Sequence, residues 1–285
     1  MINDYKVNGK RSIADVERHF KLHLTPHFTG WRAANISTVE VRAYVAKRQE
    51  QKASNATINR ELSALKRAFS LGIEAGKLTV KPKITLLEER NVRKGWFEPE
   101  QFEAVRSRLP AAVQPVVMFL YLTGWRLGEV LSLQWRLVDF VAGCVRLDPG
   151  TTKNDEAREF PFTEELRELL EAQREYTRQV EREQGRIIPY VFHRNGTAMK
   201  GFRKSWATAC KAVGCPGMIR HDFRRTAVRN LVRAGIPERV AMTMTGHKTR
   251  SVFERYNIVS PSDLTDAAAK LDAAAKKLTG KVRAK

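Results

Sequence analysis

Apolar side chains in the first part of the chain recur at the three- and four-residue spacing of amphipathic helices. The first apolar stripe follows Ser12, a residue type that favours the N-cap position, and consists of Ile13, Val16, Phe20 and Leu24. Pro26 is expected to end this helix, because proline lacks the backbone N–H that a helix interior requires.

Two further helices are predicted before residue 77. Ser37 and Glu40 form a capping-box pattern ahead of an apolar face at Val41, Tyr44 and Val45. A third helix begins at about Thr57 and ends at Gly76, and its apolar face consists of Ile58, Leu62, Leu65, Phe69 and Ile73. Residues 1–90 are therefore predicted to form a small helical bundle.

The pattern changes twice after this bundle. Residues 77–97 are rich in charge and have little apolar periodicity, which is typical of an exposed linker. After a helix start at Glu98, residues 116–122 predict a buried helix that Gly124 ends, and another helix begins near Arg126.

The second domain is predicted to be mainly helical with a small sheet. Residues 144–147 and 158–162 have strand character and flank a polar turn, and residues 190–192 predict a further strand before the Asn195-Gly196 turn. The remaining helices are predicted at residues 163–184, 200–213, 221–234 and 237–245. The expected domains are 1–90 and 91–262, followed by a tail at 263–285.

Charge points to a polyanionic partner. The chain has 51 Lys and Arg against 31 Asp and Glu, a formal charge of +20, which favours nucleic acid. The apolar stretch at 116–122 is too short to span a bilayer, and the polar opening residues do not resemble a signal peptide. We expect a cytoplasmic, nucleoid-associated protein without disulfides, since the three cysteines show no paired spacing.

Basic side chains on the polar helix faces of the first domain are candidate DNA contacts, although an ordinary solvated surface explains each one almost as well. They are Arg42, Lys47, Arg48, Arg60, Lys66 and Arg67. His19, His23 and His27 recur every four residues, a spacing that could suggest a metal site. Pro26 interrupts the third, and no carboxylate or cysteine completes a ligand set, so a solvated or DNA-facing edge is favoured.

Four separated segments carry candidate chemistry. Arg126 stands at a helix start in TGWRLGE, Lys153 stands in the polar turn between two strands, and the HDFRR segment places His221 and Arg224 on one helix face. In GHKTRSVFERY, His247 precedes Tyr256 by nine residues. Each residue alone has an ordinary structural explanation.

Together and in this order, these segments resemble the tyrosine recombinase, or phage integrase, family. Its catalytic domain carries an Arg in a T-G-x-R-x-x-E context, a hairpin Lys, an H-x-x-R pair, a G-H and a nucleophilic Tyr nine residues beyond. This sequence matches with Arg126, Lys153, His221, Arg224, His247 and Tyr256, and with Glu129 as the supporting acid. The resemblance implies a SAM-like, core-binding helical bundle followed by a mixed α/β catalytic domain.

The chemistry of phosphodiester transfer suits these residue types. Arg126 and Arg224 can stabilise negative charge on phosphorus oxygens, His221 can accept the phenol proton of Tyr256, and His247 can hydrogen-bond the phosphate. Lys153 is expected to protonate the leaving 5′ oxygen. No metal or other cofactor is required, and the chain lacks an ATP-binding GxxxxGK[ST] loop.

The resemblance also implies partners. Double-stranded DNA is expected to be enclosed between the two basic domains. A homotetramer is expected in the synaptic complex, and a monomer or weak oligomer when the protein is free. A role for accessory DNA-bending proteins stays open. Arg225 is a further candidate phosphate contact.

The tail has Leu264, Leu271 and Leu278 at seven-residue spacing, which predicts a helix that docks on a neighbouring protomer or on its own domain, or frays near DNA. The alternative functions are a type IB topoisomerase and a non-catalytic DNA-binding regulator.

Overall fold

The computed structural model describes residues 1–89, 95–150, 157–257, 264–265 and 267–272. The chain divides into two compact units, Met1–Asn91 and Val92–Lys285. Both are mainly helical, and a small sheet lies in the second. None of the described helices combines the length and apolar character that crossing a membrane would need.

The N-terminal unit is a helical bundle, as predicted. Its helices are α1 (Ile2–Val7), α2 (Ile13–His19), α3 (Thr25–Phe28), α4 (Thr38–Glu50) and α5 (Asn55–Glu74). The predicted capping box is confirmed, because Val39 N–H donates to the Ser37 hydroxyl and Ser37 N–H donates to the Glu40 carboxylate. Tyr44, Ile58 and Leu62 lie at the centre of the core.

The prediction that Pro26 ends the first helix is wrong. A π-helical turn, Phe20–Leu24, connects α2 to α3, and Pro26 lies in α3 directly after this turn, so the helical path continues through the proline to Phe28. His19 is buried in this region, so the expected solvated histidine edge is also wrong at that residue. Helix α1 was not predicted.

A buried polar cluster fastens α4 to α5. The fully buried carboxylate of Glu61 accepts hydrogen bonds from the Tyr44 hydroxyl at 2.6 Å and from Arg48 Nη2 at 2.8 Å. Burial alone would raise the pKa of Glu61, but these hydrogen bonds and the positive charge of Arg48 outweigh it and lower the pKa. The prediction that Arg48 lies on an exposed polar face is therefore wrong.

The predicted linker is not exposed along its whole length. Ile84 is buried in the N-terminal core, and Leu87 exchanges two hydrogen bonds of 2.8 Å with the Asn59 side chain on α5. Phe97 is buried in the second unit, where its N–H donates to the Thr226 hydroxyl at 2.9 Å. The described ends of the 77–97 segment thus belong to the two units themselves.

Between Pro99 and Glu254 the described part of the second unit contains eight α-helices and two small sheets. The helices are α6 (Pro99–Arg106), α7 (Gln114–Thr123), α8 (Leu127–Leu131), α9 (Glu164–Gln184), α10 (Arg203–Ala212), α11 (Asp222–Arg233), α12 (Glu238–Thr245) and α13 (Arg250–Glu254). Strands β1 (Val138–Asp139), β2 (Cys144–Leu147) and β3 (Arg158–Pro161) form an antiparallel sheet, and β4 (His193–Arg194) pairs with β5 (Thr197–Ala198).

The predicted elements of this unit are found with small shifts. Strand β2 has the predicted bounds, whereas the strand predicted at 190–192 begins at His193 and pairs across the Asn195-Gly196 turn. The three cysteines are buried and free, as expected. In the tail, residues 264–265 and 267–272 are helical with Leu264 and Leu271 exposed, and Leu278 lies outside the described residues.

The C-terminal end of helix α7 packs closely against α11. Gly124 ends α7 in the left-handed conformation with φ of +64°, and a Cβ there would lie 2.7 Å from the Cβ of Ala227 on α11. Because only glycine avoids this overlap, the segment before Arg126 can lie directly against the helix that carries Arg224. The fold thereby brings the first and third motif segments together.

Candidate active site

Five of the six predicted catalytic residues lie within one region of the second unit. Arg126 is the N-cap of α8, His221 is the N-cap of α11 and Arg224 lies in its first turn. His247 follows the glycine that ends α12, and Tyr256 follows α13. Lys153 lies outside the described residues, between the described strands β2 and β3.

Glu129 holds Arg126 in place from the third position of α8. Its Oε2 accepts the backbone N–H of Arg126 at 2.9 Å, and its Oε1 accepts Nη1 of the same arginine at 2.9 Å. Burial would raise the pKa of Glu129, but the positive charge of Arg158 and the bonds from Arg126 lower it. The carboxylate therefore stays ionised while the Arg126 guanidinium remains partly exposed.

Arg224 is buried and oriented by three acceptors. Its Nη1 donates to the Gly124 carbonyl at 2.8 Å, Nη2 to the Gly246 carbonyl at 3.2 Å and Nε to His247 Nε2 at 3.0 Å. Burial and the neighbouring charges of Arg126 and Arg158 lower the pKa of Arg224 to about 9. Of five guanidinium N–H groups, two remain, one on each Nη atom, for a substrate.

Both ring nitrogens of His247 are occupied within the protein. The Thr245 hydroxyl donates to the Ala241 carbonyl at 2.6 Å, so it accepts from His247 Nδ1 at 2.8 Å, and Nε2 accepts from Arg224. Burial and the charges of Arg224, Arg126 and Arg158 lower the pKa of His247 to about 3. The imidazole is neutral, and in this arrangement it orients Arg224 instead of presenting a donor to a phosphate.

The Tyr256 hydroxyl lies 2.7 Å from His221 Nε2. Desolvation and the charges of Arg224 and Arg225 lower the pKa of His221, so its ring is neutral near pH 7 and can accept a proton. The guanidinium carbons of Arg224 and Arg225 lie 5.8 Å and 5.3 Å from the centre of the Tyr256 ring. The Tyr256 hydroxyl, the neutral His221 ring and two guanidiniums therefore lie together in the second unit.

The predicted DNA contacts separate into two groups. Arg42, Lys47, Arg60 and Lys66 are exposed. Arg67 pairs with Asp4 and Glu74, Arg48 is held by Glu61, and Arg225 is buried against Asp222 and the Tyr256 ring. We therefore withdraw Arg48 and Arg225 as surface phosphate contacts, since neither side chain is on the solvated surface.

Sequence reasoning missed Arg158, a buried arginine at the start of β3. Its Nη2 lies 2.8 Å from Glu129 Oε2, and its Nη1 donates to the Thr245 carbonyl at 2.7 Å. No motif indicates this residue, because its partners stand 29 and 87 positions away in the chain. Among the described residues there is no group of three or more His, Cys, Asp or Glu side chains that could hold a metal ion.

Comparison with known proteins agrees with this architecture. Residues 99–262 match the phage integrase family, and residues 15–76 match its N-terminal SAM-like domain. With more than half of its length matched by the first of these, the chain belongs to the phage integrase family.

Two relatives illustrate the similarity. The integrase of Salmonella phage P22 is 25% identical over 205 residues, which cover 67% of this chain and 50% of that protein. The ICEBs1 integrase of Bacillus subtilis is 24% identical over 277 residues, which cover 88% of this chain and 74% of that protein. The chain thus spans half the length of the phage P22 integrase.

Solved structures share the fold. The Tn1549 transposon integrase in complex with transposon right end DNA has a TM-score of 0.72 at 16% identity, covering 95% of this chain and 97% of that one. A lambda integrase dimer bound to a COC' core site has a TM-score of 0.71 at 16% identity, covering 90% and 76%.

Proposed function

We propose that this protein is a site-specific DNA recombinase that cleaves and rejoins DNA strands through a covalent bond to Tyr256. The observation that carries the proposal is the 2.7 Å contact between the Tyr256 hydroxyl and the neutral His221 ring, with two arginines beside them. A phenol with a proton acceptor and positive charge beside it is equipped to become a nucleophile.

The first step transfers the DNA phosphoryl group from the 5′ oxygen to the hydroxyl oxygen of Tyr256. The Tyr256 oxygen attacks phosphorus as its proton passes to His221, the bond from phosphorus to the 5′ oxygen breaks, and a 3′-phosphotyrosyl bond forms. Attack by the 5′ hydroxyl of another strand reverses these events and releases the tyrosine. The phosphotyrosyl bond conserves the energy of the DNA bond, so the exchange consumes no ATP.

Arg126 and Arg224 stabilise the charge that accumulates on the non-bridging oxygens. Arg224 is fixed by three hydrogen bonds before substrate arrives, so little of its side-chain freedom remains to be lost at the transition state. Arg126 is fixed by Glu129 but stays partly exposed, as a group that contacts substrate requires. In this scheme His247 orients Arg224.

Lys153 is our candidate for the general acid that protonates the leaving 5′ oxygen. Its support is its place in the sequence between β2 and β3, since β3 begins with Arg158, which contacts Glu129 and the Thr245 carbonyl. An ammonium that stands in the sequence between two strands, one of which contacts the site, is a suitable candidate for this proton donor.

DNA is the proposed partner of both units. The exposed Arg42, Lys47, Arg60 and Lys66 supply positive charge in the N-terminal unit, and the chain as a whole carries a charge of +20. A lambda integrase of the same fold was solved as a tetramer bound to a Holliday junction. We therefore propose a tetramer on DNA, and the exposed Leu264 and Leu271 in the tail suit docking on a neighbouring protomer.

The decisive experiment traps the covalent intermediate on a nicked suicide substrate carrying the preferred DNA site, which selection from a random pool would supply. The unmodified protein and a Tyr176→Phe control should form an adduct, whereas Tyr256→Phe should bind the same DNA without forming one. An adduct in Tyr256→Phe would move the nucleophile elsewhere. Relaxation of supercoiled DNA without site dependence and without strand exchange would instead support a topoisomerase.

A further inference from the structure

Arg158 connects two parts of the candidate site that are far apart in the sequence. Its Nη2 contacts Glu129 Oε2 at 2.8 Å, while Oε1 of the same carboxylate accepts from Arg126. Its Nη1 donates to the Thr245 carbonyl at 2.7 Å, and the Thr245 hydroxyl accepts from His247. One guanidinium therefore lies between the segment that holds Arg126 and the segment that holds His247.

The surroundings of Arg158 are built around its guanidinium. The side chain is 4% exposed, and its Cζ lies 4.9 Å from the centre of the Trp125 ring. Gly246 has a φ of +70°, and a Cβ at that residue would lie 2.7 Å from Arg158 Cζ, so a side chain there would displace the arginine. Because a buried charge without its partners is costly, moving the guanidinium away from Glu129 and the Thr245 carbonyl would be unfavourable.

Arg158 itself does not reach the reacting atoms. Both of its Nη atoms are engaged with protein acceptors, and its solvent exposure is too low for contact with a DNA phosphate. Its influence must pass through Glu129 to Arg126, and through Thr245 to His247 and then Arg224.

We propose that Arg158 is a positioning residue, whose two-point contact with Glu129 and the Thr245 carbonyl fixes the Arg126 and His247 segments relative to each other and to strand β3. The inference rests on the proposed recombinase function. Because a displacement of about 1 Å in a reacting geometry can cost on the order of 100-fold in rate, loss of this contact should slow chemistry strongly.

The test measures single-turnover cleavage of the suicide substrate by Arg158→Met, with Arg146→Met as the matched control. Arg146 lies on the neighbouring strand β2, where it is exposed and pairs with Asp139. We expect Arg158→Met to cleave on the order of 100-fold more slowly with unchanged DNA affinity, and Arg146→Met to cleave like the unmodified protein. A lower fraction of active protein that cleaves at the normal rate would reduce Arg158 to a folding role and overturn the inference.

A double-variant cycle identifies the path. If Arg158 acts through Glu129, then Arg158→Met combined with Glu129→Gln should cleave no more slowly than the slower single variant. If the loss of cleavage rate in the double variant equals the product of the two single losses, the proposed path is overturned. Should Arg158→Met fail to fold, Arg158→Lys keeps the charge but not the planar fork, and it should also cleave at least about tenfold more slowly. Cleavage by Arg158→Lys at the unmodified rate would contradict a two-point contact.

One measurement is independent of activity. The Nδ1 proton of His247 should exchange slowly with solvent in the unmodified protein, and NMR should show this protection lost in Arg158→Met or Arg158→Lys. Retained protection would overturn the positioning role. If the unmodified protein formed no adduct, the proposed function would fail, and this measurement would still decide whether Arg158 positions the His247 segment.

Discussion

Gly124→Ala should damage both the stability of the second unit and its chemistry, whereas Gly185→Ala should damage stability alone and less severely. The two glycines end α7 and α9 in the same left-handed conformation, with φ of +64° and +62°. A Cβ at Gly185 meets no atom within 4 Å, but a Cβ at Gly124 would lie 2.7 Å from the Cβ of Ala227. Comparison of the two variants therefore separates the cost of backbone strain from the cost of steric overlap.

The magnitudes follow from these two terms. A left-handed residue with a Cβ costs about 1–2 kcal/mol, which both variants should lose. Overpacking adds about 1–3 kcal/mol at Gly124, for a total of roughly 2–5 kcal/mol. At about 2–4 °C per kcal/mol for a domain of this size, the melting temperature should fall by roughly 2–8 °C in Gly185→Ala and by more in Gly124→Ala.

The cleavage rate gives the second measurement. The Gly124 carbonyl accepts from Arg224 Nη1 at 2.8 Å, so separation of α7 from α11 would move the guanidinium from its place. Thermal unfolding by circular dichroism and single-turnover cleavage below the melting transition should be measured for both variants. Equal losses of stability and equal cleavage rates in the two variants would refute the reasoning.

Four further predictions follow from the site and the charge. Because the lowered pKa keeps His221 neutral as the pH falls through its ordinary value of 6.5, cleavage should stay constant through pH 6.5 and decline only below it, and a decline beginning above pH 6.5 would argue against this base. Lys153→Ala should be rescued by a substrate with sulfur in place of the 5′ bridging oxygen, since a thiolate leaves without a proton, and absence of rescue would remove Lys153 as the acid. DNA affinity should fall steeply with rising salt, in contrast to an interface held by uncharged groups, as a filter-binding titration would reveal. Deletion of residues 263–285 should preserve binding to one site but weaken synapsis on native gels, unless truncated protein forms tetramers and recombines at the full rate.

Features set by local chemistry could be predicted from the sequence. The capping box at Ser37 depends on residues three positions apart, and strand β2 was found at its predicted bounds because its composition and flanking turn are local signals. The order of the motifs allowed us to predict that Arg126, Arg224 and Tyr256 would come together.

Features set by contacts between distant residues could not be predicted. The burial of Arg48 depends on Glu61, a carboxylate 13 positions away on another helix, and a polar residue facing a helix partner has the same local pattern as one facing solvent. His247 was expected to hydrogen-bond a phosphate, but its Nε2 accepts from Arg224, which stands 23 positions earlier and is brought to it by the packing of α11 against α12. Arg158 likewise depends on acceptors that only the folded chain supplies.

The attachment of the interdomain segment has a consequence for engineering. Leu87 and its neighbours are bound to α5 through Asn59, while Phe97 is bound to α11 through Thr226. A chimera that joins a foreign N-terminal module to the second unit should therefore change parent after residue 89 and before residue 95, so that both sets of described contacts stay intact. A junction before Ile84 would expose that side chain, because the N-terminal core that buries it would be replaced, and a junction after Phe97 would remove a buried side chain from the core of the second unit. The solubility of such a hybrid should therefore depend on where the two parents are joined.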